Sequence, residues 1–217
     1  MLVGLGTWQL KRLGWKQELI GHAQAQLAEA ALPLPADGLA ALDYRRVSAS
    51  GSYLHNLAFA YGFFAEHGRP GGRLVTPFQS TEGRVILVDR GWLPEELLPP
   101  NLPAGLEPGG TVTVEGVARW RGATERPWMA PANTPQERRW FTWDVPAMGQ
   151  ALGRPIEPLE LILERSQGPA GLPRAEPVTV DFPNDHLSYA LTWYGLAVVL
   201  VVVYIMFSLT KPRAAQP

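Results

Sequence analysis

The chain has 217 residues, a formal net charge of −1 and no cysteine. Disulfides, thiolate zinc sites and a cysteine nucleophile are excluded, and no global field draws in nucleic acid or acidic ligands. The 21 prolines and 22 glycines are spread between apolar runs. That pattern suits a loop-rich β domain better than a helical bundle or a disordered tail.

Residues 1–10, MLVGLGTWQL, are apolar but too short to cross a bilayer, and they run straight into Lys11 and Arg12. With no basic leader and no small-residue cleavage site, they do not read as a signal peptide. They read as the last third of a membrane helix whose beginning lies upstream or has been lost. Residues 7–31 are helical in pattern. Trp8, Arg12, Trp15 and Leu19 fall at i, i+4, i+7 and i+11, on one face. Prolines 33 and 35 then stop the helix.

Beyond this point the apolar period drops to two. Strand candidates are residues 47–53, 57–64, 74–79, 85–88, 111–120, 139–143, 159–164 and 177–182. Gly51 reads as a bulge or turn, and Thr81, Glu82 and Gly83 as the turn joining the third and fourth strands. Asp89 reads as a turn residue after Ile86, Leu87 and Val88. Residues 94–110 form a long loop inside the domain. Residues 145–152 read as a helix capped by Asp144, with Pro146 in its first turn. The expected class is β-rich α+β, with an antiparallel β sandwich or barrel flanked by membrane helices, the first of them truncated.

Residues 187–209 carry no charge, and twelve of them are Leu, Ile, Val or Phe. At about −0.3 to −0.6 kcal/mol each, their insertion into a bilayer gains roughly 4 to 7 kcal/mol. A buried core helix rarely stays apolar on every face for so many turns. Pro183, Asn184 and Asp185 precede the segment as start signals, and Lys211, Pro212 and Arg213 follow it as a basic flank and stop. Lys and Arg gather on the cytoplasmic side of membrane helices, which places the C-terminus inside and the domain outside. The division expected is therefore 1–31 as the truncated first membrane helix and its amphipathic continuation, 32–183 as the extracytoplasmic β-rich domain, 184–210 as the transmembrane helix, and 211–217 as a cytoplasmic tail.

No catalytic motif survives inspection. There is no nucleophile elbow, no paired zinc-binding histidines on a helix and no phosphate-binding loop. His22, His55, His67 and His186 show no mutual metal-ligand spacing. Asp89 and Asp144 have structural roles to hand, as turn residue and cap. The protein is expected not to be an enzyme. His186 differs by position, in the first turn of the apolar helix. Neutral imidazole is an axial ligand for haem iron. His186, Tyr189, Trp193 and Ala197 share a helix face. The alternative is an interfacial histidine bonded to water or lipid headgroups.

Four blocks together resemble one family. They are residues 5–16 (LGTWQLKRLGWK), residues 44–47 (YRRV) with Gly51, residues 87–94 (LVDRGWLP) and residues 184–196 (NDHLSYALTWYGL). The chain resembles the Surfeit locus protein family of cytochrome c oxidase assembly factors from about Leu5 to Lys211. The resemblance implies two membrane helices around an extracytoplasmic β-rich domain, anchored in a bacterial inner (cell) membrane. It implies haem a delivery or insertion into subunit I, with the haem a synthesis machinery as a further partner. It also implies that His186 is the haem ligand. If both helices are present, Trp8, Arg12 and Trp15 lie level with His186. The helices then suit the farnesyl tail, His186 the iron, and Arg12 or Lys16 the propionates. The alternative is a snorkelling Arg12 and an aromatic belt of Trp8 and Trp15. Two rival functions stand beside this one: a scaffold that stabilises an oxidase assembly intermediate without touching haem, and an extracytoplasmic membrane-bound hydrolase.

Overall fold

Ten consecutive buried residues in one strand, Val85–Pro94, set the centre of the β-rich part of the protein. The computed structural model describes residues 1–66, 68–122, 129–180 and 184–210. It has mixed α and β structure in two compact units. One comprises Met1–His22 with the C-terminal segment from Val180, the other Ala23–Thr179. Helix α1 (Leu2–Ala28) begins in the first unit and ends in the second.

The second unit contains all eight described strands: β1 (Leu32–Pro33), β2 (Arg46–Tyr53), β3 (Phe59–Glu66), β4 (Arg69–Ser80), β5 (Val85–Pro94), β6 (Val112–Trp120), β7 (Arg139–Trp140) and β8 (Leu159–Leu163). They form one sheet in the order β1-β2-β6-β8-β5-β4-β3-β7, and β2 also pairs with β4. That extra pairing closes β2, β6, β8, β5 and β4 into a hydrogen-bonded ring. The sheet is mixed, not antiparallel throughout as expected. β1–β2, β3–β7 and β5–β8 are parallel pairs. The β3–β7 and β5–β8 pairs join strands distant in sequence, and strand alternation carries no trace of them.

Local chemistry explains the elements. Along β2, Val47, Ala49, Gly51 and Tyr53 are buried while the residues between them are not, the period-two signature of a half-covered strand. Val47, Phe78, Ile86, Val88, Val114 and Leu161 meet in the main core cluster. Phe59, Val75, Leu87, Trp140, Trp143 and Met148 form another. Each such side chain, fully buried, contributes about 1.5 to 3 kcal/mol. Helix α2 (Val145–Leu152) starts as expected. The Asp144 carboxylate accepts from Ala147 N at 3.0 Å, and Pro146 occupies the first turn. Gly153, at φ 68°, ends it.

Three local expectations change. Gly51 makes neither bulge nor turn. It pairs with both Val112 and Ser80, where a Cβ would lie 2.1 Å from Gln79 O. Asp89 is not in a turn but mid-strand in β5 and buried. Residues 177–180 form no strand, and the rest of that candidate lies outside the described residues.

In the first unit, helix α3 (His186–Thr210) contains a 24-residue stretch, His186–Leu209, of mean hydropathy 2.3. Only 6% of its most apolar window is buried, which rules out a core helix of this chain. It is long and apolar enough to cross a membrane. Its expected basic flank, Lys211 and Arg213, lies outside the described residues, as does His67.

Candidate functional site

α3 meets α1 through residues spaced by four: His186, Ala190 and Tyr194. Ala190 is fully buried. The Tyr194 ring lies so close to Gly6 that a Cβ there would be 2.8 Å from Cε1. Thr7 Oγ1 donates to Val3 O at 2.9 Å, so the bond of 3.0 Å between Thr7 Oγ1 and the Tyr194 hydroxyl has tyrosine as donor. At the start of α3, His186 Nδ1 sits 2.7 Å from Gln9 Oε1. With the carboxamide oxygen as acceptor, this contact matches the tautomer in which Nδ1 donates and Nε2 is the nitrogen left for a ligand.

The other residues singled out from the sequence stand differently. Trp8 and Tyr189 are 55% and 57% exposed, and Trp193 is half-buried. The guanidinium of Arg12 stacks over Trp15, 4.2 Å from the ring centroid. The structure therefore joins His186 to Gln9 and Arg12 to Trp15. Sequence reading passed over Gln9. The signal was a lone carboxamide inside an apolar decapeptide, where an unpartnered amide is costly.

Among the described residues, no group of three His, Cys, Asp or Glu side chains could hold a bare metal ion. His186 thus offers a single nitrogen. One ligand suits a metal that arrives with its other positions filled, as iron does in a porphyrin.

A second polar cluster lies inside the β unit. Asp89 on β5 and Glu160 on β8 are nearly fully buried on adjoining strands. Asp89 pairs with Arg73, and its Oδ1 accepts from Gly91 N at 2.9 Å. Glu160 accepts from Arg121 Nε and Nη2 at 2.8 and 2.6 Å. Burial pushes the Glu160 carboxyl up to about 7, with Arg121 opposing and Asp89 reinforcing the shift. Close by in sequence, Arg90 is buried, donates from Nη2 to Leu106 O at 2.7 Å, and lies over the Tyr53 ring at 4.9 Å. Burial pulls its proton affinity down and pushes the Tyr53 hydroxyl up to about 12. Each buried acid has its own arginine, so this cluster ties strands together.

The molecule is of a definite class: a small mixed-sheet domain with helical ends, one of them apolar enough to cross a membrane and paired with the other through small and polar side chains. Residues 1–198 match the SURF1 family, and the chain belongs to it. A SURF1-like protein of Monosiga brevicollis is 33% identical over 93% of this chain and 81% of its own length. Surfeit locus protein 1 of Takifugu rubripes is 34% identical over 89% and 86%. The human Surfeit locus protein 1 is 32% identical over 89% and 69%. The resemblance drawn from the four sequence blocks is borne out.

Proposed function

We propose that this protein is a membrane-anchored assembly factor for cytochrome c oxidase, and that it handles haem a on its way to subunit I. In this reading α3 spans a bacterial cell membrane, with the β unit extracytoplasmic and residues 211–217 cytoplasmic. The haem a synthesis machinery is the donor and subunit I the acceptor. The observation that carries the reading is His186, at the first turn of the apolar helix with its Nδ1 held by Gln9. When bound, haem a would supply an iron that takes a neutral imidazole as ligand. His186 would hold that iron, Arg12 or Lys16 would neutralise the propionates, and Trp8, Tyr189 and Trp193 would give aromatic surface to the macrocycle. No covalent step is needed, so the protein acts as a carrier and not as an enzyme.

The test is to co-express the chain with haem a synthesis and record optical spectra of the purified protein. A haem a spectrum that disappears in His186→Ala supports the reading. A spectrum unchanged in that variant removes His186 from the site. A scaffold reading has its own support in the exposed stripe of Trp8, Trp15 and Leu19 on α1. Deletion separates the two. Subunit I that assembles without haem a speaks for the carrier, and failed subunit association with haem content intact speaks for the scaffold.

A further inference from the structure

We propose that Gln9 is the positioning residue of this site, fixing the His186 imidazole so that Nε2 is the nitrogen offered to iron. The inference rests on the haem reading above and adds a residue and a mechanism to it.

The geometry is specific. Gln9 Oε1 and His186 Nδ1 lie 2.7 Å apart, across two helices and 177 positions of sequence. A glutamine in an apolar stretch is costly unless its amide is used, and this partner uses it. Packing of the helix pair does not call for it. Gly6 and Ala190 supply the close approach, and the Thr7–Tyr194 bond supplies a polar lock. What the Gln9 bond adds is a choice of tautomer. Neutral histidine in water favours the proton on Nε2, which would leave Nδ1 as the ligand, crowded by its own backbone. An acceptor facing Nδ1 reverses this preference and aims Nε2 away from α1. Ligating histidines are commonly oriented by such an outer partner, whose loss costs about 10- to 100-fold in affinity.

The partner's neutrality also matters. A carboxylate at this position would make the imidazole a stronger donor and the complex slower to release. A carboxamide orients the ring without that gain, which suits a ligand that must be passed on.

The test uses the full chain in detergent, labelled with 15N-histidine, without and with added haem a. The His186 resonances are identified by their absence from His186→Ala. In the haem-free wild type they should report a proton on Nδ1, and Gln9→Leu should move it to Nε2. Gln9→Glu keeps the acceptor and should keep the proton on Nδ1. In haem a titrations, Gln9→Leu should bind about 10- to 100-fold more weakly. Gln9→Glu should bind at least as tightly as wild type, with a lower iron midpoint potential. A wild-type His186 protonated on Nε2 would overturn the proposal, even if Gln9→Leu failed to fold. So would Gln9 variants that bind like wild type while His186→Ala loses haem, and in that case the haem reading itself survives. Unchanged binding by His186→Ala brings down the haem reading, whereas the tautomer is judged by the haem-free spectra alone.

Discussion

The two units solve opposite solvation problems. The β unit buries its apolar side chains and also four members of a charged network, Asp89, Glu160 and their arginines, in whole or in large part. The helical unit exposes its apolar side chains and buries small ones, with Gly6 and Ala190 inside and Val198 to Val203 outside. Were this pair to sit in lipid, no hydrophobic drive would act between its helices, and close approach with a few hydrogen bonds would hold it together. In the β unit the hydrophobic term dominates, and each of the two buried acids is matched by an arginine. Substitutions should therefore act by different mechanisms and on different scales in the two units.

The largest effect should come from Gly91 in the β unit. Its φ is 113°, and a Cβ there would lie 2.2 Å from Arg174 O. Backbone, not a flexible side chain, stands in the way, so neither partner can yield. Gly91→Val should cost more than about 5 kcal/mol, enough to unfold a marginal domain. Chemical denaturation followed by far-ultraviolet circular dichroism would show it. A variant with the wild-type midpoint would mean that the β5 backbone is far more pliable than its burial implies.

Next in size is the buried ion pair. Glu160→Ala leaves the Arg121 guanidinium facing an empty acceptor and should cost about 3 to 5 kcal/mol at neutral pH. Glu160→Gln should cost less and should change the pH profile. The native carboxyl is pushed from its ordinary 4.5 up to about 7, so the folded chain holds the proton more tightly than the unfolded chain does. The contribution of this group is therefore largest below pH 4.5 and falls as pH rises towards about 7, after which it levels off. The slope is at most about 1.4 kcal/mol per pH unit. Denaturation midpoints measured across that window should fall in the wild type relative to Glu160→Gln. Parallel curves would show that Arg121 outweighs burial and that Glu160 stays ionised throughout.

This network also marks where sequence reading stopped. Alternation located most of the strands, and Asp144 with Pro146 located α2 to the residue, because those signals are local. Asp89 follows Ile86, Leu87 and Val88, and a charge after an apolar run reads as a strand end. Its true partner, Arg73, lies on the neighbouring strand β4, and only the paired sheet shows that β5 continues through it. The parallel pairs β5–β8 and β3–β7 are likewise long-range. At the candidate site, His186 was legible from its place at the head of an apolar helix. Gln9 was not, since weight fell on the more conspicuous Trp8 and Arg12, and its partner lies 177 residues away.

The smallest effect, and the one that most sharpens the contrast, concerns the helical unit. Tyr194 contributes a hydroxyl to Thr7 and a ring to the hollow above Gly6. Removing the hydroxyl with Tyr194→Phe leaves the ring in place. In the membrane-anchored reading proposed above, hydrogen bonds between membrane helices average about 0.6 kcal/mol, so the loss should be of that order. Gly6→Leu should cost more, because the added side chain occupies the space of the ring and breaks the hydroxyl bond as well. Both can be read as helix pairing in detergent, by cross-linking between cysteines placed on α1 and α3 of the otherwise cysteine-free chain. If Tyr194→Phe disrupted pairing as much as Gly6→Leu, hydrogen bonding rather than close contact would hold the helices. The Gln9–His186 bond would then be part of the clasp, and no longer separable as the orienting contact of the site.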